Sequence, residues 1–203
     1  MENIAEKSRL YAIECHERKN NLYDGKPYEY HLNMVNDVIE EFIDLIEEEH
    51  RDDVRGGGWN HDTIEDCGVT FNDVKKATNE EVAELAYALT NEKGKTRSER
   101  ANDKYYRGIR NKDRAVFLKL ADRIANVKYS KRMLNLTGKA GMFDKYKKEN
   151  PKFIWGLIKP EWYEIHLWLL VCLSFSGYVS YKLNSRTVFS DMIIRLNELL
   201  TIN

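Results

Sequence analysis

Three prolines in 203 residues, with few stretches of alternating apolar and polar residues, commit this chain to helices. Apolar residues recur instead at helical spacing. The clearest case places Val35, Val38, Ile39, Phe42, Ile43 and Ile46 on one face, with His31 near the start of the helix and Glu47-Glu48-Glu49 as a solvated end. A first helix is expected over Ile4 to Lys19, with Ile4, Leu10, Tyr11 and Ile13 turned partly inward. A loop follows through residues 20–27, where Asp24-Gly25 and Pro27 are turn signals. Thr70 or Asn72 should cap the next helix. Asn79 to Leu89 reads as helix, closed by a polar loop from Asn91 to Thr96. Beyond it come a polar helix over Arg97 to Arg110 and an apolar-faced one over Asp113 to Met133. A short segment, Phe153-Ile154-Trp155, is bracketed by Pro151 and Pro160, and a last helix covers Ser190 to Thr201. Gly56-Gly57-Gly58 is the anomaly, since each glycine weakens a helix by about 1 kcal/mol relative to alanine. It reads either as close backbone packing or as a loop, with regular helix starting near Trp59.

A net charge of −1 gives no reason to expect a nucleic-acid groove, although the abundant Lys and Arg leave room for a local basic patch. Cys15, Cys67 and Cys172 lack paired spacing and read as reduced thiols of a cytoplasmic protein. The charged N-terminus, Met1-Glu2-Asn3-Ile4-Ala5-Glu6-Lys7, does not read as a signal peptide. The one membrane suspect, Trp162 to Val179, carries Glu164 and His166. Its unbroken apolar run, Leu167 to Leu173, is far shorter than the ~20 residues a span requires, so it reads as a buried helix.

Three separated stretches carry the chemistry: Tyr30-His31, then His61-Asp62-Thr63-Ile64-Glu65-Asp66, then Leu120-Ala121-Asp122-Arg123-Ile124-Ala125-Asn126. Together they supply two imidazoles and two carboxylates, a ligand set suited to a divalent cation that keeps positions open for water or phosphate. On a helix His61 pairs with Glu65 and Asp62 with Asp66, one turn apart. Glu65 and Asp66 are then placed to accept a proton from water, and their proximity should raise the pKa of one of them. A single histidine in a helix is ordinarily a core or surface residue, and His16, His50 and His166 are read that way. His31 and His61 differ because an Asp stands in an apolar segment downstream, where a lone buried charge costs several kcal/mol without a partner or metal.

In order along the chain, Gly25-Lys26-Pro27-Tyr28-Glu29-Tyr30-His31, His61-Asp62-Thr63-Ile64-Glu65-Asp66 and Lys119-Leu120-Ala121-Asp122-Arg123-Ile124-Ala125-Asn126 resemble three motifs of the HD superfamily of metal-dependent phosphohydrolases. Within that superfamily they resemble the hydrolase domain of the RelA/SpoT alarmone enzymes and its small stand-alone relatives. Ala88-Leu89-Thr90 and the Tyr146-bearing segment fit as well, so the likeness covers about residues 5 to 155. The resemblance implies an all-α fold, with residues 1–159 read as a single HD-type helical bundle; residues 160–203, which have no counterpart in the family, read as a C-terminal helical extension packed on it. It implies one Mn2+ held by His31, His61, Asp62 and Asp122, water activation by Glu65 and Asp66, and nucleotide contact by Asn126 and Tyr146. The implied reaction removes the 3'-pyrophosphate of (p)ppGpp, leaving GDP or GTP. With no room for a synthetase domain, hydrolysis alone is expected.

Departures from the pattern fall on the substrate side. Leu32 stands where the family usually has Pro, and Gly57-Gly58-Trp59-Asn60 replaces a small apolar run. The family's two basic residues have Arg18 and Lys19 as nearest counterparts, with Asn20 and Asn21 at the better offset. Two alternatives follow: an HD-type phosphohydrolase acting on another nucleotide or on NADPH phosphate, and an inactive nucleotide-sensing or partner-binding module. Retained Glu65 and Asp66 weigh against the second. The aromatic residues Trp162, Tyr163, Trp168, Phe175 and Tyr178 read as core cover or as the contact of a homo-oligomer.

Overall fold

A computed structural model describes residues 3–174, and its fold is all-α. The described chain divides into two compact units, one ending at Ala125 and the other beginning at Asn126. In the first, α1 (Ile4–Arg18) is capped by Asn3, whose side chain accepts from the backbone of Ala5 and Glu6. A two-stranded hairpin follows, β1 (Leu22–Tyr23) against β2 (Lys26–Pro27). Its turn residues Asp24 and Gly25 both have positive φ, as a tight two-residue hairpin turn requires. Next come α2 (Glu29–Glu41), α3 (Arg51–Asn60), α4 (Thr63–Cys67), α5 (Phe71–Ala77), α6 (Glu80–Leu89), α7 (Arg97–Arg100), α8 (Asp103–Asn111) and α9 (Ala115–Thr137).

α3 is the hub of the first unit, and its glycines explain how. A Cβ on Gly56 would lie 2.7 Å from both Ser8 Oγ of α1 and Val82 Cγ2 of α6. One on Gly57 would lie 2.7 Å from Leu118 Cδ1 of α9 and 3.0 Å from Leu85 Cδ1 of α6. One on Gly58 would collide with Ile39 Cδ1 of α2. Of the two readings of this triplet, close backbone packing is the one observed. The propensity lost inside α3 is offset by letting four helices approach its backbone. Around this hub Ala12, Leu32, Val35, Ile39, Val54, Val82, Leu85, Leu118 and Leu120 are buried.

Several local expectations need correction. Leu10 is 55% exposed; the inner face of α1 carries the smaller Ser8, Ala12, Cys15 and His16, which suit the close approach to α3. His61 and Asp62 are not inside a regular helix. α3 ends at Asn60, and the two residues form the turn into α4, with the Asp66 N–H donating to the Asp62 carbonyl at 2.8 Å. The polar stretch Arg97 to Arg110 is two helices, because Asn102 caps α8 by accepting from Tyr105 N. Thr70, rather than Asn72, caps α5, in a reciprocal capping box with Asp73.

The second unit continues α9 from Asn126 and adds α10 (Gly141–Leu157) and α11 (Tyr163–Ser174). Phe153-Ile154-Trp155 is no isolated segment, since α10 runs through Pro151. Phe143, Tyr146, Phe153 and Leu157 are its buried residues, and their burial offsets the backbone hydrogen bond that proline cannot make. On α11 Ile165, His166, Trp168, Leu169 and Leu173 are buried, and no helix among the described residues is long and apolar enough to cross a membrane. The helix expected over Ser190 to Thr201 lies outside the described residues.

Candidate metal centre

Three elements of the first unit bring the predicted ligands together. His31 comes from the first turn of α2, His61 and Asp62 from the turn between α3 and α4, and Asp122 from the middle of α9. His31, His61 and Asp122 are buried, and each offers a donor atom within 4.8 Å of the others, a group that could hold a metal ion. The two imidazole Nε2 atoms face each other at 3.3 Å. Asp122 Oδ1 lies 3.5 Å from His31 Nε2 and 3.9 Å from His61 Nε2. Asp62 Oδ2 lies 2.9 Å from His61 Nε2 and 3.7 Å from His31 Nε2.

The surroundings fix each donor. His61 Nδ1 donates to the Gly58 carbonyl at 2.8 Å, which leaves the Nε2 lone pair of the neutral ring for the centre. Tyr28 donates its hydroxyl to Asp62 Oδ2 at 2.5 Å. Burial and then the Asp62 charge push the Tyr28 phenol well above its usual pKa, so it stays a donor. The Lys119 ammonium sits 2.9 Å from Asp122 Oδ2. Burial opposes its charge, but Asp122 outweighs that and keeps Lys119 protonated. Tyr23 of the hairpin stacks on His31, with ring centroids 4.8 Å apart and planes within 8°. Behind Tyr28, His16 stacks at 4.2 Å and receives a hydrogen bond from Asn21 Nδ2 on its Nδ1 at 3.0 Å. Burial lowers the His16 pKa to about 4, so this ring is neutral near pH 7.

Electrostatically the donors fit a cation. Two lone-pair nitrogens at 3.3 Å repel unless a proton or an ion lies between them. Two carboxylates, one of them paired with Lys119, bring negative charge into a buried space. Burial works to depress His61, yet Asp62 and Asp122 overcome it and raise the pKa to about 9. Burial likewise opposes the Asp122 carboxylate, but Lys119 and the two imidazoles hold it well below the usual range. The cluster therefore attracts positive charge, and a divalent ion would take the place that a proton otherwise fills.

Glu65 and Asp66 stand on α4, directly after the ligand turn. Glu65 is gripped by Asn91, whose side-chain amide donates at 2.8 and 3.1 Å and whose backbone N–H donates at 3.3 Å, with Arg100 at 3.9 Å. Asp66 is exposed as a whole residue, but desolvation of its carboxyl group, followed by the Asp62 and Glu65 charges, raises its pKa to about 6. The other expected substrate residues stand on other elements. Arg18 turns to Cys15 Sγ at 3.3 Å and Glu14 at 3.9 Å, and Lys19 is the exposed C-cap of α1. Asn126 and the buried Tyr146 belong to the second unit, on α9 and α10.

Tyr28, Lys119, Asn91, Tyr23 and His16 are contributors that the ligand pattern alone does not single out. Tyr28 and Lys119 stand inside the motifs that carry the ligands, three residues before His31 and three before Asp122, and that spacing was the available signal. Asn91 had none beyond its place in a polar loop.

Residues 62–110 match the model of a domain of unknown function, DUF927, a description that assigns no chemistry. A solved structure described as a metazoan ortholog of SpoT that hydrolyzes ppGpp and plays a role in starvation responses is similar over 85% of this chain and 94% of its own, with a TM-score of 0.64 and 23% sequence identity. At that identity the likeness establishes a shared fold, which in this chain is all-α.

Proposed function

We propose that this protein is a Mn2+-dependent phosphohydrolase that removes the 3'-pyrophosphate from (p)ppGpp, giving GDP or GTP and pyrophosphate. The observation that supports it most is the convergence of His31 and His61 Nε2, 3.3 Å apart, with Asp62 and Asp122, beside a carboxylate pair. The likeness of fold to a protein described as hydrolyzing ppGpp supports the choice of substrate. His31, His61, Asp62 and Asp122 hold the ion. When bound, the ion supplies Lewis acidity toward a phosphoryl oxygen and lowers the pKa of water.

The chain's own groups do the rest. Tyr28 and Lys119 each occupy one carboxylate oxygen of Asp62 and Asp122, which fixes where the remaining lone pairs point. Asp66, with its pKa near 6, is ionised at neutral pH and able to take a proton from attacking water. Glu65, fixed by Asn91, orients that water. Asn126 and Tyr146 contact the nucleotide, and Arg18 and Lys19 meet its phosphates.

A second reading keeps the chemistry and changes the substrate to another nucleotide or NADPH phosphate. It is favoured by Arg18, whose guanidinium is engaged by Cys15 and Glu14. Purified protein with Mn2+ should release pyrophosphate from ppGpp, and His61→Ala should abolish the release. Silence toward ppGpp across several divalent ions, with turnover in a nucleotide panel, selects the second reading. Silence toward the whole panel removes both.

A further inference from the structure

The two imidazoles of the centre are held in different ways. His61 is anchored through Nδ1, which donates to the Gly58 carbonyl at 2.8 Å. His31 has no such anchor: its Nδ1 is buried and finds no hydrogen-bond partner among the described residues. To offer the Nε2 lone pair to a cation, a neutral imidazole must carry its proton on Nδ1. A metal-binding histidine ordinarily donates that N–H to an acceptor, which fixes the orientation of the ring. In His31 another contact has to fix it.

That contact comes from the hairpin. Tyr23 lies face to face with His31, with centroids 4.8 Å apart and planes within 8°, the geometry of a stacked aromatic pair. Tyr28 meets the same imidazole edge-on at 5.3 Å and 70°, and His61 does so at 5.3 Å and 64°. Rotation of the His31 ring would break the stack. Tyr23 is itself braced. Its ring stands edge-on to Tyr28 at 6.4 Å and 6.4 Å from Tyr30, over which the Lys26 ammonium sits at 3.7 Å. Tyr23 pairs with Lys26 across the hairpin, and the Tyr28 N–H donates to the Asn21 carbonyl at 3.2 Å, closing the hairpin onto the start of α2.

We propose that Tyr23 is the positioning residue for His31, holding the ligand ring by stacking where no hydrogen bond holds it. This role rests on the reading of the cluster as a metal centre. Stacking of this kind also responds to the ion. An imidazole that donates its lone pair to a cation loses electron density, and the electron-rich face of a phenol attracts an electron-poor ring. The contact therefore strengthens when the site is loaded, so Tyr23 favours the bound state over the empty one instead of adding equally to both.

The test is Mn2+ binding to the full chain, measured by calorimetry in wild type, Tyr23→Leu and Tyr23→Phe, with melting temperatures recorded in EDTA. Leucine keeps apolar cover and removes the aromatic face; phenylalanine keeps the face and removes the hydroxyl. Affinity should fall about tenfold in Tyr23→Leu and stay within about twofold of wild type in Tyr23→Phe. The melting temperature in EDTA should move little in either, which separates positioning from a structural role. In metal-free protein, NMR should show the His31 ring protons shifted upfield by the Tyr23 ring, an effect kept in Tyr23→Phe and lost in Tyr23→Leu. Undiminished affinity in Tyr23→Leu, an equal loss in Tyr23→Phe, a large drop in melting temperature in EDTA, or a His31 spectrum indifferent to Tyr23→Leu would each overturn the proposal. A wild type that binds no Mn2+ removes the metal-centre reading and this role with it, whereas binding indifferent to Tyr23 removes this role alone.

Discussion

Two buried polar regions meet at the end of α3, one residue apart, and the molecule treats them differently. Asn60 gives its side-chain amide hydrogens to backbone carbonyls, Ser8 at 3.2 Å and Gly56 at 3.1 Å, and its own carbonyl accepts from Thr63 at 2.8 Å. These neutral groups tie α1, α3 and the start of α4 together. His61, the next residue, turns Nδ1 back to Gly58 but points Nε2 at another imidazole and two carboxylates. Backbone carbonyls take both amide hydrogens of Asn60, while its buried Oδ1 has no partner among the described residues, and what these neutral bonds do is tie helices together, so its role is architectural. The cluster around His61 is made of groups that repel or over-attract one another without a cation, so its arrangement is explained by what it would hold.

The contrast can be broken at either side. Asp62→Ala, on the cluster side, should lower pyrophosphate release at least about a thousandfold, beyond the 10–100-fold typical of losing a group that only supports a ligand. It should also abolish the rise in melting temperature that Mn2+ gives the wild type. Retention of that rise would place the ion elsewhere. Tyr28→Phe removes the hydroxyl from Asp62 while keeping the ring against His16. Metal titration should show affinity falling about 10–100-fold with little change in melting temperature without metal. A loss of stability instead would make Tyr28 part of the architecture.

Protons should compete with the ion. Asp62 and Asp122 raise the His61 pKa to about 9 against the effect of burial, so an incoming cation must displace a proton below that pH. Affinity is therefore expected to rise with pH, by up to about tenfold per unit, and to level off toward pH 9. Titrations at pH 6, 7 and 8 giving one constant would contradict this. On the architectural side, Gly57→Ala forces a methyl to within 2.7 Å of Leu118 Cδ1. It should cost about 1–3 kcal/mol in denaturant unfolding, even though alanine is the better helix former. Metal affinity should be nearly unchanged if hub and centre are separable.

What the sequence displayed divides along the same line. His31, His61, Asp62 and Asp122 were legible because an Asp in an apolar segment, as Asp122 is, has few explanations, and because all four fall in motif order. The all-α fold was legible from scarce prolines and helical spacing. The glycine triplet was ambiguous, because its meaning lies in Ser8, Val82, Leu118 and Ile39, which approach from distant positions. The break at His61-Asp62 was hidden, since i, i+4 spacing looks the same across a turn that keeps one helical hydrogen bond. His16 resembled any core histidine. Its link to Tyr28 is a stacking contact between α1 and the start of α2, which no local pattern encodes. Asn91 meets Glu65 across 26 positions from a loop with no periodicity to read.

The most direct test is the metal content of the protein after equilibration with Mn2+ and removal of free ion, compared between wild type and His61→Ala. About one ion per wild-type chain and essentially none in the variant are expected when a ligand is removed from a site with few alternatives. A wild type without stoichiometric metal, or a variant that retains it, would contradict the convergence of these four side chains on a cation.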